Sequence, residues 1–513
     1  MFRRLSIMLG RARIDQLTMI GAKLAQPESF EMGVVDVGSN SVRVVVYRVE
    51  GRSLTPIFNE KVMAGLGRDV AHTGQLNAKG VVSALAALAR FRTLLRAMGV
   101  KTIHALATAA VRDSQDGEAF AQRVRDETGL ALRIISGTQE ASLSALGVLA
   151  GAPDASGLVG DLGGSSLELI RLSPAGPEEG ESFPLGPLAL MESWQADPEA
   201  VNLRIEAALA LSETLVPPLD TFFAVGGAWR ALGRIDMELR EHPLHVLHHH
   251  EIARADVLKL TEFVRRAGRK GLERFGDAIA RRADALPLAA LLLERLVKHC
   301  GFERVVLSSY GLREGVVFGQ LAWEVRAQDP LLAGAIAFAA GNARSQAFGA
   351  ALARWIEPVM AQGQAMISHQ REAMLRAAAC QLADLGGALH PEQRRESLFD
   401  LVLRAPFVGI THPERVFLAL AVHHRYSKAG PQISALALGL LSGAQRARAV
   451  MLGACMRLGT ELSGRCEDLL TAFSLGMEGN VPQLNKPAHL QHLVNDAVLR
   501  RLEALAAAIA AAD

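Results

Sequence analysis

Two stretches of the chain carry the same alternation of apolar and polar positions. Val34-Val35-Asp36-Val37-Gly38-Ser39-Asn40-Ser41-Val42-Arg43-Val44-Val45-Val46 is the first, and Val159-Gly160-Asp161-Leu162-Gly163-Gly164-Ser165-Ser166-Leu167-Glu168-Leu169-Ile170 is the second. Each opens on a short apolar run ending at an aspartate and turns through glycine and small hydroxyl or amide residues. Each then leaves on alternating apolar positions. That pattern predicts a strand, a tight turn and an antiparallel strand. Glycine lets backbone come close to a ligand, and successive N–H groups in such a turn form an anion-binding concavity. Gly38, Ser39, Asn40, Ser41 and Arg43, with Gly163, Gly164, Ser165 and Ser166, are therefore candidate phosphate contacts. Asp36 and Asp161 stand where a carboxylate can hold a divalent cation, directly or through water. Either loop alone is also an ordinary hairpin; the repeat suggests duplicated subdomains facing each other across a cleft.

Between and after the loops, strands and helices alternate, which indicates an α/β class. A helix is expected from about Ala78 to Met98 and a strand over Thr102–Thr108. Thr108 and Arg112, where that strand runs into a helix start, form a third possible anion contact, with a solvated Arg112 the equal alternative. A helix over Gly117–Thr128 and a strand over Leu132–Ile135 follow. Ser136-Gly137-Thr138-Gln139-Glu140 opens the next helix, with Ser136 or Thr138 as cap. Glu140 in the first turn is either a dipole-matching carboxylate or a base for an attacking water. A further helix is expected around Val201–Leu215. Phe222 to Arg230 reads as a strand, a Gly226-Gly227 turn fit for close ligand approach, and a helix. From about Val325 strand signals fade and Ala/Leu/Arg helical patterns run to the C-terminus, with a loop at Asn480–Pro487.

Length and composition narrow the class. A chain of 513 residues exceeds one core, so three or four domains are expected. Half the residues are hydrophobic and the net charge is +2, which gives no pull toward nucleic acid or membrane surfaces. No apolar stretch reaches membrane-span length. The basic N-terminal stretch lacks a signal-type apolar run and reads as a flexible tail over residues 1–31. Cys300, Cys380, Cys455 and Cys466 form no C-x-x-C pair and read as reduced thiols of a cytoplasmic protein. His242, His245, His248, His249 and His250 cluster densely, but no carboxylate or cysteine sits at a recognised metal spacing; they read as a loop of partly buried imidazoles.

Together, Asp36-Val-Gly-Ser-Asn-Ser, Gly65-Leu-Gly, Ala107-Thr-Ala-Ala-Val-Arg112, Ile135-Ser-Gly-Thr-Gln-Glu140-Ala, Asp161-Leu-Gly-Gly-Ser-Ser-Leu-Glu168, Val225-Gly-Gly and Tyr310-Gly-Leu-Arg-Glu-Gly resemble the exopolyphosphatase / guanosine pentaphosphate phosphatase family, in that family's order, over about residues 32 to 325. The resemblance implies an actin-like (ribonuclease H-like) duplicated ATPase-type fold, with lobes over 32–150 and 151–325, followed by an all-α, HD-like domain over 326–513. It implies Mg²⁺-dependent (or Mn²⁺-dependent) release of phosphate from inorganic polyphosphate or from guanosine pentaphosphate, by a homodimer. Glu140 matches the family's water-activating glutamate. Asp161 and Glu168 match acidic residues tied to the metal, Ser39, Asn40, Ser165 and Ser166 the phosphate loops, and Arg112 a phosphate-contacting arginine. Gln139 stands where the family usually has a second glutamate, and Ser165 where a third glycine is common. The HD-like region would carry an adjacent His-Asp pair; here it reads Ala383-Asp384, so no working metal site is expected there. His390, His412, His423 and His424 remain as channel or core residues. Two other readings compete. An ATP-dependent kinase or chaperone-type ATPase normally has a longer Gly-rich adenosine stretch than Val225-Gly-Gly-Ala. A non-catalytic sensor of guanosine tetra- or pentaphosphate would have no need of Glu140.

Overall fold

A computed structural model describes residues 29–512, apart from 174, 218, 341–342, 363–366 and 432–434. The tail expected over 1–31 lies outside the described residues up to 28. Ser29–Glu31 belong instead to the first strand. The described chain divides into two compact units that meet in sequence at Arg326 and Ala327.

The first unit contains two sheets of matching design. In one, β1 (Ser29–Val37), β2 (Val42–Glu50) and β3 (Ser53–Val62) form an antiparallel meander, and β4 (Thr102–Ala107) and β5 (Leu132–Ile134) add in parallel beyond β1. In the other, β6 (Gly157–Leu162), β7 (Leu167–Ser173) and β8 (Gly176–Phe183) repeat the meander. There β9 (Thr221–Val225) runs parallel to β6, and β10 (His250–Ala253) and β11 (Arg304–Leu307) complete the order β10-β11-β9-β6-β7-β8. The duplication extends to register, since Asp36 pairs with Arg43 and Asp161 with Glu168. This is the actin-like arrangement.

Both sheets are covered on both faces, which is why their strands read as near-continuous apolar runs. Val35, Val37, Val42, Val44 and Val46 pack toward Leu88, Phe91 and Leu95 of the Ala78–Ala97 helix. Met32, Val34, Val45, Tyr47 and Val49 face the opposite way, toward Val316, Val317 and Phe318 of the Leu312–Gln320 helix. The Gly137–Gly151 helix lies between the two sheets. Its Ala141, Ala145 and Val148 join Val159, Ile170, Phe223 and Val225 of the second sheet, while Leu143 and Leu146 pack with the first. A helix that is apolar all round is a buried one.

One helix crossing inside this unit depends on two glycines. A Cβ on Gly147 would lie 2.1 Å from the Gly311 carbonyl oxygen, and one on Gly315 would lie 1.8 Å from that of Leu143. The Leu312–Gln320 helix therefore rests almost backbone to backbone on the Gly137–Gly151 helix. The helix expected as far as Leu215 ends at Ala210, and Leu215 turns into the core instead. The histidine-rich stretch is only partly a loop: His250 lies in β10, buried, with Nε2 2.8 Å from Asp236 Oδ2.

The second unit is helical except for one hairpin. β12 (Ser474–Glu478) and β13 (Val481–Asn485) pair where a loop was expected, turning through Gly479 (φ 58°) and Asn480. A two-residue turn with glycine at its first central position matches strand twist. Of the histidines noted there, His412, His423 and His424 are buried and His390 is exposed. Burial pushes the His424 imidazole down to about 4, so these are core side chains. Cys300, Cys380 and Cys455 are free and buried, and burial raises all three thiols. Among the described residues no helix is long and apolar enough to cross a membrane.

Candidate active site

The two loops come together. Gly38 N–H donates to the Ser41 carbonyl at 3.0 Å, and Gly163 N–H donates to that of Ser166 at 3.0 Å, so both turns close the same way. Gly65 N–H donates to the Asn40 carbonyl and Gly67 N–H to that of Ser39, at 3.1 and 2.8 Å. The Gly65-Leu66-Gly67 turn thus braces the first loop. A Cβ on Gly164 would lie 3.2 Å from Ser39 Cβ, and one on Gly67 would lie 3.2 Å from Ser165 Oγ. Ser39, Gly67, Gly164 and Ser165 therefore meet in a patch where any larger side chain would intrude. Thr108 is buried at the end of β4, its Oγ1 4.0 Å from where a Gly38 Cβ would be. Gly226 holds φ at 110°, and a Cβ there would stand 2.4 Å from the Leu162 carbonyl oxygen.

Glu140 sits at the start of the Gly137–Gly151 helix. Ser136 caps that helix and Gln139 closes the capping box by returning its side chain to the Ser136 N–H. The glutamine that departs from the family pattern thus has a structural task, and Glu140 is left to face the cleft. Its Oε2 accepts from Arg112 Nη1 at 2.9 Å. Glu140 is 8% exposed. Burial, then the Glu168 and Asp161 carboxylates, push its pKa well up, while Arg112 pulls it down. Arg112 also reaches Asp113.

Glu168, buried, and Asp161, half-buried, stand beside it. Asp161 accepts from Ser144 Oγ, on the same helix as Glu140. Glu168 Oε1 accepts from Ser182 Oγ at 2.9 Å, and its Oε2 has no hydrogen-bond partner among the described residues. Burial raises Glu168 to about 7, the hydrogen bond from Ser166 and the charge of Asp161 acting in opposite directions after it. A buried, unpaired carboxylate oxygen next to other carboxylates is costly unless a cation offsets it. The donor set therefore fits a divalent cation. It is not a closed cage: among the described residues Asp36, Glu140, Asp161 and Glu168 do not supply three ligand atoms within 4.8 Å of one another. Mg²⁺ characteristically takes one or two carboxylates and fills its shell with water and substrate phosphate. Asp36 is already engaged, accepting from Arg313 Nη1 at 2.8 Å.

A basic group lines the same cleft, and most of it was missed from sequence. Arg43 bonds Asn59 Oδ1 at 2.8 Å. Arg230 donates to the Ser309 carbonyl at 3.3 Å, and Arg282 lies 3.5 Å from where a Gly227 Cβ would stand. Burial and then Arg313 lower the Arg230 guanidinium to about 10, with Asp161 opposing. Lys61 is pushed down to about 8 by surrounding protein and then by Arg282, Arg43, Arg313 and Arg230, although its side chain remains open to solvent. Five cations from β2, β3, two helix starts and a loop are thus mutually crowded. Their convergence from positions 43 to 313 leaves no local trace in sequence. The Arg230 and Arg313 positions could have been flagged because each follows a glycine turn at a strand end.

The Ppx/GppA phosphatase family model matches residues 45–324, and the exopolyphosphatase C-terminal model matches residues 331–511. The chain belongs to the Ppx/GppA phosphatase family. Curated relatives include exopolyphosphatase 1 of Mycobacterium tuberculosis, 26% identical over 305 residues, 56% of this chain and 88% of that protein. The Mycobacterium leprae exopolyphosphatase 1 is 25% identical over 56% of this chain and 89% of its own length. Among solved structures, an exopolyphosphatase from Cytophaga hutchinsonii aligns with TM-score 0.51 at 24% identity, covering 56% of this chain and 96% of its own. The Aquifex aeolicus Ppx/GppA family member aligns with TM-score 0.50 at 22% identity, covering 57% and 98%. These structures agree in fold with the two-sheet unit. As a Ppx/GppA phosphatase, the chain is a hydrolase of phosphate compounds.

Proposed function

We propose that this Ppx/GppA phosphatase is an exopolyphosphatase, releasing orthophosphate from the end of inorganic polyphosphate. The observation that carries the reading is the Glu140–Arg112 pair set beside Asp161, Glu168 and both glycine loops, with the Lys61–Arg43–Arg230–Arg282–Arg313 group alongside. A long polyanion needs many fixed positive charges, and this cleft offers them beyond the loops themselves.

The loop N–H groups and the hydroxyls of Ser39, Ser165 and Ser166 bind and orient the terminal phosphoryl group. Arg112 adds charge to the same oxygens while holding Glu140 in place. Glu140 Oε2 takes the proton from the attacking water, a task suited to a carboxyl that burial makes more basic than an ordinary carboxylate. Asp161 and Glu168 would hold a divalent cation, which when bound offsets negative charge on the phosphoryl oxygens. The basic group keeps the remaining chain in register as the anhydride breaks.

The test is phosphate release from long-chain polyphosphate and from guanosine pentaphosphate, with Mg²⁺, for the wild type and Glu140→Gln. Release from polyphosphate that falls by roughly 10²–10⁴ in the variant is expected. Release from the nucleotide alone would move the function to alarmone turnover. Binding without release would make the chain a sensor.

A further inference from the structure

The histidine-rich turn over residues 247–250 reaches the cleft through a contact that the mechanism leaves unused. His248 is buried there, and the His250 N–H closes the turn on the Leu247 carbonyl at 3.1 Å. His248 Nδ1 accepts the Ser309 N–H at 3.3 Å. The Tyr310 ring lies against the imidazole, with centres 5.3 Å apart and planes at 35°. Gly151, at the end of the helix that carries Glu140, leaves room for the imidazole. A Cβ there would lie 2.6 Å from His248 Cε1 and 3.4 Å from Tyr310 Cδ2. His249 follows at φ 61°, a conformation that costs a non-glycine residue energy, and its N–H donates to the Leu307 carbonyl at 2.9 Å. The turn is thus tied to the end of β11 at two points.

Ser309 lies where the chain leaves β11 for the site, and the peptide on each side of its Cα is held. On one side its N–H goes to His248. On the other its carbonyl accepts from Arg230 Nη1 at 3.3 Å, and the Tyr310 N–H of the same peptide donates to Ser308 Oγ at 3.2 Å. Two residues on, a Cβ at Gly311 would lie 3.8 Å from Asp161 Oδ2, so this stretch borders the carboxylates. Arg230 belongs to the Gly227–Leu239 helix and feels the charges of Arg313, Asp161 and Arg43. A guanidinium among like charges keeps its place when a fixed acceptor holds it, and the Ser309 carbonyl is such an acceptor. Only an unprotonated Nδ1 can take the Ser309 N–H, which places the ring proton of neutral His248 on Nε2.

We propose that His248 is a positioning residue for the polyphosphate chain: through the Ser309 backbone it fixes Arg230 where the phosphates behind the reacting one pass. The proposal rests on the exopolyphosphatase reading. His248 acts through Arg230, not on the reacting atoms, so its removal should weaken binding and spare the chemical step.

Phosphate release from long-chain polyphosphate with Mg²⁺, measured on the full chain, tests this. His248→Leu should raise KM about tenfold and change kcat by less than about twofold, since it leaves the Ser309 N–H without its acceptor. Asparagine offers an oxygen near the place of Nδ1, so His248→Asn should bring KM back to within about twofold of the wild type. His248→Phe keeps a ring beside Tyr310 without the acceptor, and serves if His248→Leu does not fold. Adding His248→Leu to Arg230→Met should raise KM no further than Arg230→Met alone, because both act at one contact. Equal KM increases in His248→Asn and His248→Leu, additive effects in the double variant, or an unmoved KM in both His248→Leu and His248→Phe would each overturn the role. Loss of release in Glu140→Gln beside any of those results would leave the exopolyphosphatase reading standing. Release kept in Glu140→Gln would overturn that reading instead. Tripolyphosphate affinity by calorimetry, which needs no turnover, then decides His248: binding about tenfold weaker in His248→Leu is expected, and unchanged binding would overturn its role.

Discussion

Arg112 Nη1 donates to Glu140 Oε2 at 2.9 Å, joining the end of β4 to the helix that lies between the two sheets. Arg112 acts directly on a carboxyl that burial and two neighbouring carboxylates otherwise push toward the neutral form. Replacing it with methionine should leave Glu140 more protonated near neutral pH. The expected result is a fall in kcat/KM of about 10²-fold and a shift of the acid limb of the pH profile to higher pH. Arg112→Lys should restore part of the rate. A pH–rate profile with an unmoved acid limb would detach Arg112 from the protonation of Glu140.

Glu168 makes stability depend on pH in an unusual direction. Its folded-state pKa is raised to about 7, so the native chain holds a proton that the unfolded chain releases at the ordinary carboxylate value. The penalty is absent below about 4.5, grows as pH rises, and is complete above about 7. Without added metal, Glu168→Gln should therefore stabilise the protein at pH 8 relative to pH 5, on the order of a few kcal/mol. Mg²⁺ should raise the wild-type melting temperature more at pH 8 than at pH 5, and chelation should reverse it. Thermal melts at the two pH values check both statements.

Gly147 is a packing requirement on the helix that carries Glu140. An alanine methyl there would stand 2.1 Å from the Gly311 carbonyl oxygen. The two helices would have to separate, so Gly147→Ala should cost roughly 2–4 kcal/mol. It should also lower kcat, because Glu140 and Ser144 ride on the displaced helix. Denaturant midpoints and turnover measured on the same preparation test the pairing of the two effects.

The Ser136–Gln139 capping box should contribute about 1 kcal/mol, so Ser136→Ala should lower stability by that amount. Because the box leaves Glu140 unencumbered, Ser136→Ala should reduce the rate far less than Glu140→Gln. Urea unfolding and phosphate release would separate the cap from the chemistry.

Much of the catalytic unit was legible because it is local. Both strand–turn–strand loops, the Gly117–Thr128 helix and the Ser136 cap depend on residues within a few positions of one another. The Gly479-Asn480 hairpin looks like a loop in sequence because two five-residue strands in a helical region give too short an alternation to register. The positions of Lys61 and Arg282 carried no signal, since a solvated surface cation and a cleft cation look alike until the chain is folded.

The sequence by itself determined the two strand–turn–strand loops, the place of Glu140 in its helix and the change to helical structure near Val325. Each follows from short-range backbone preference and hydrophobic period. Only the tertiary structure decided that Asp36 serves Arg313, that Ser144 and Ser182 hold Asp161 and Glu168, and that His248 takes the Ser309 N–H. Those relationships join residues far apart in the chain. They are set by how buried charges find partners once packing has removed water, and neither period nor propensity records that step.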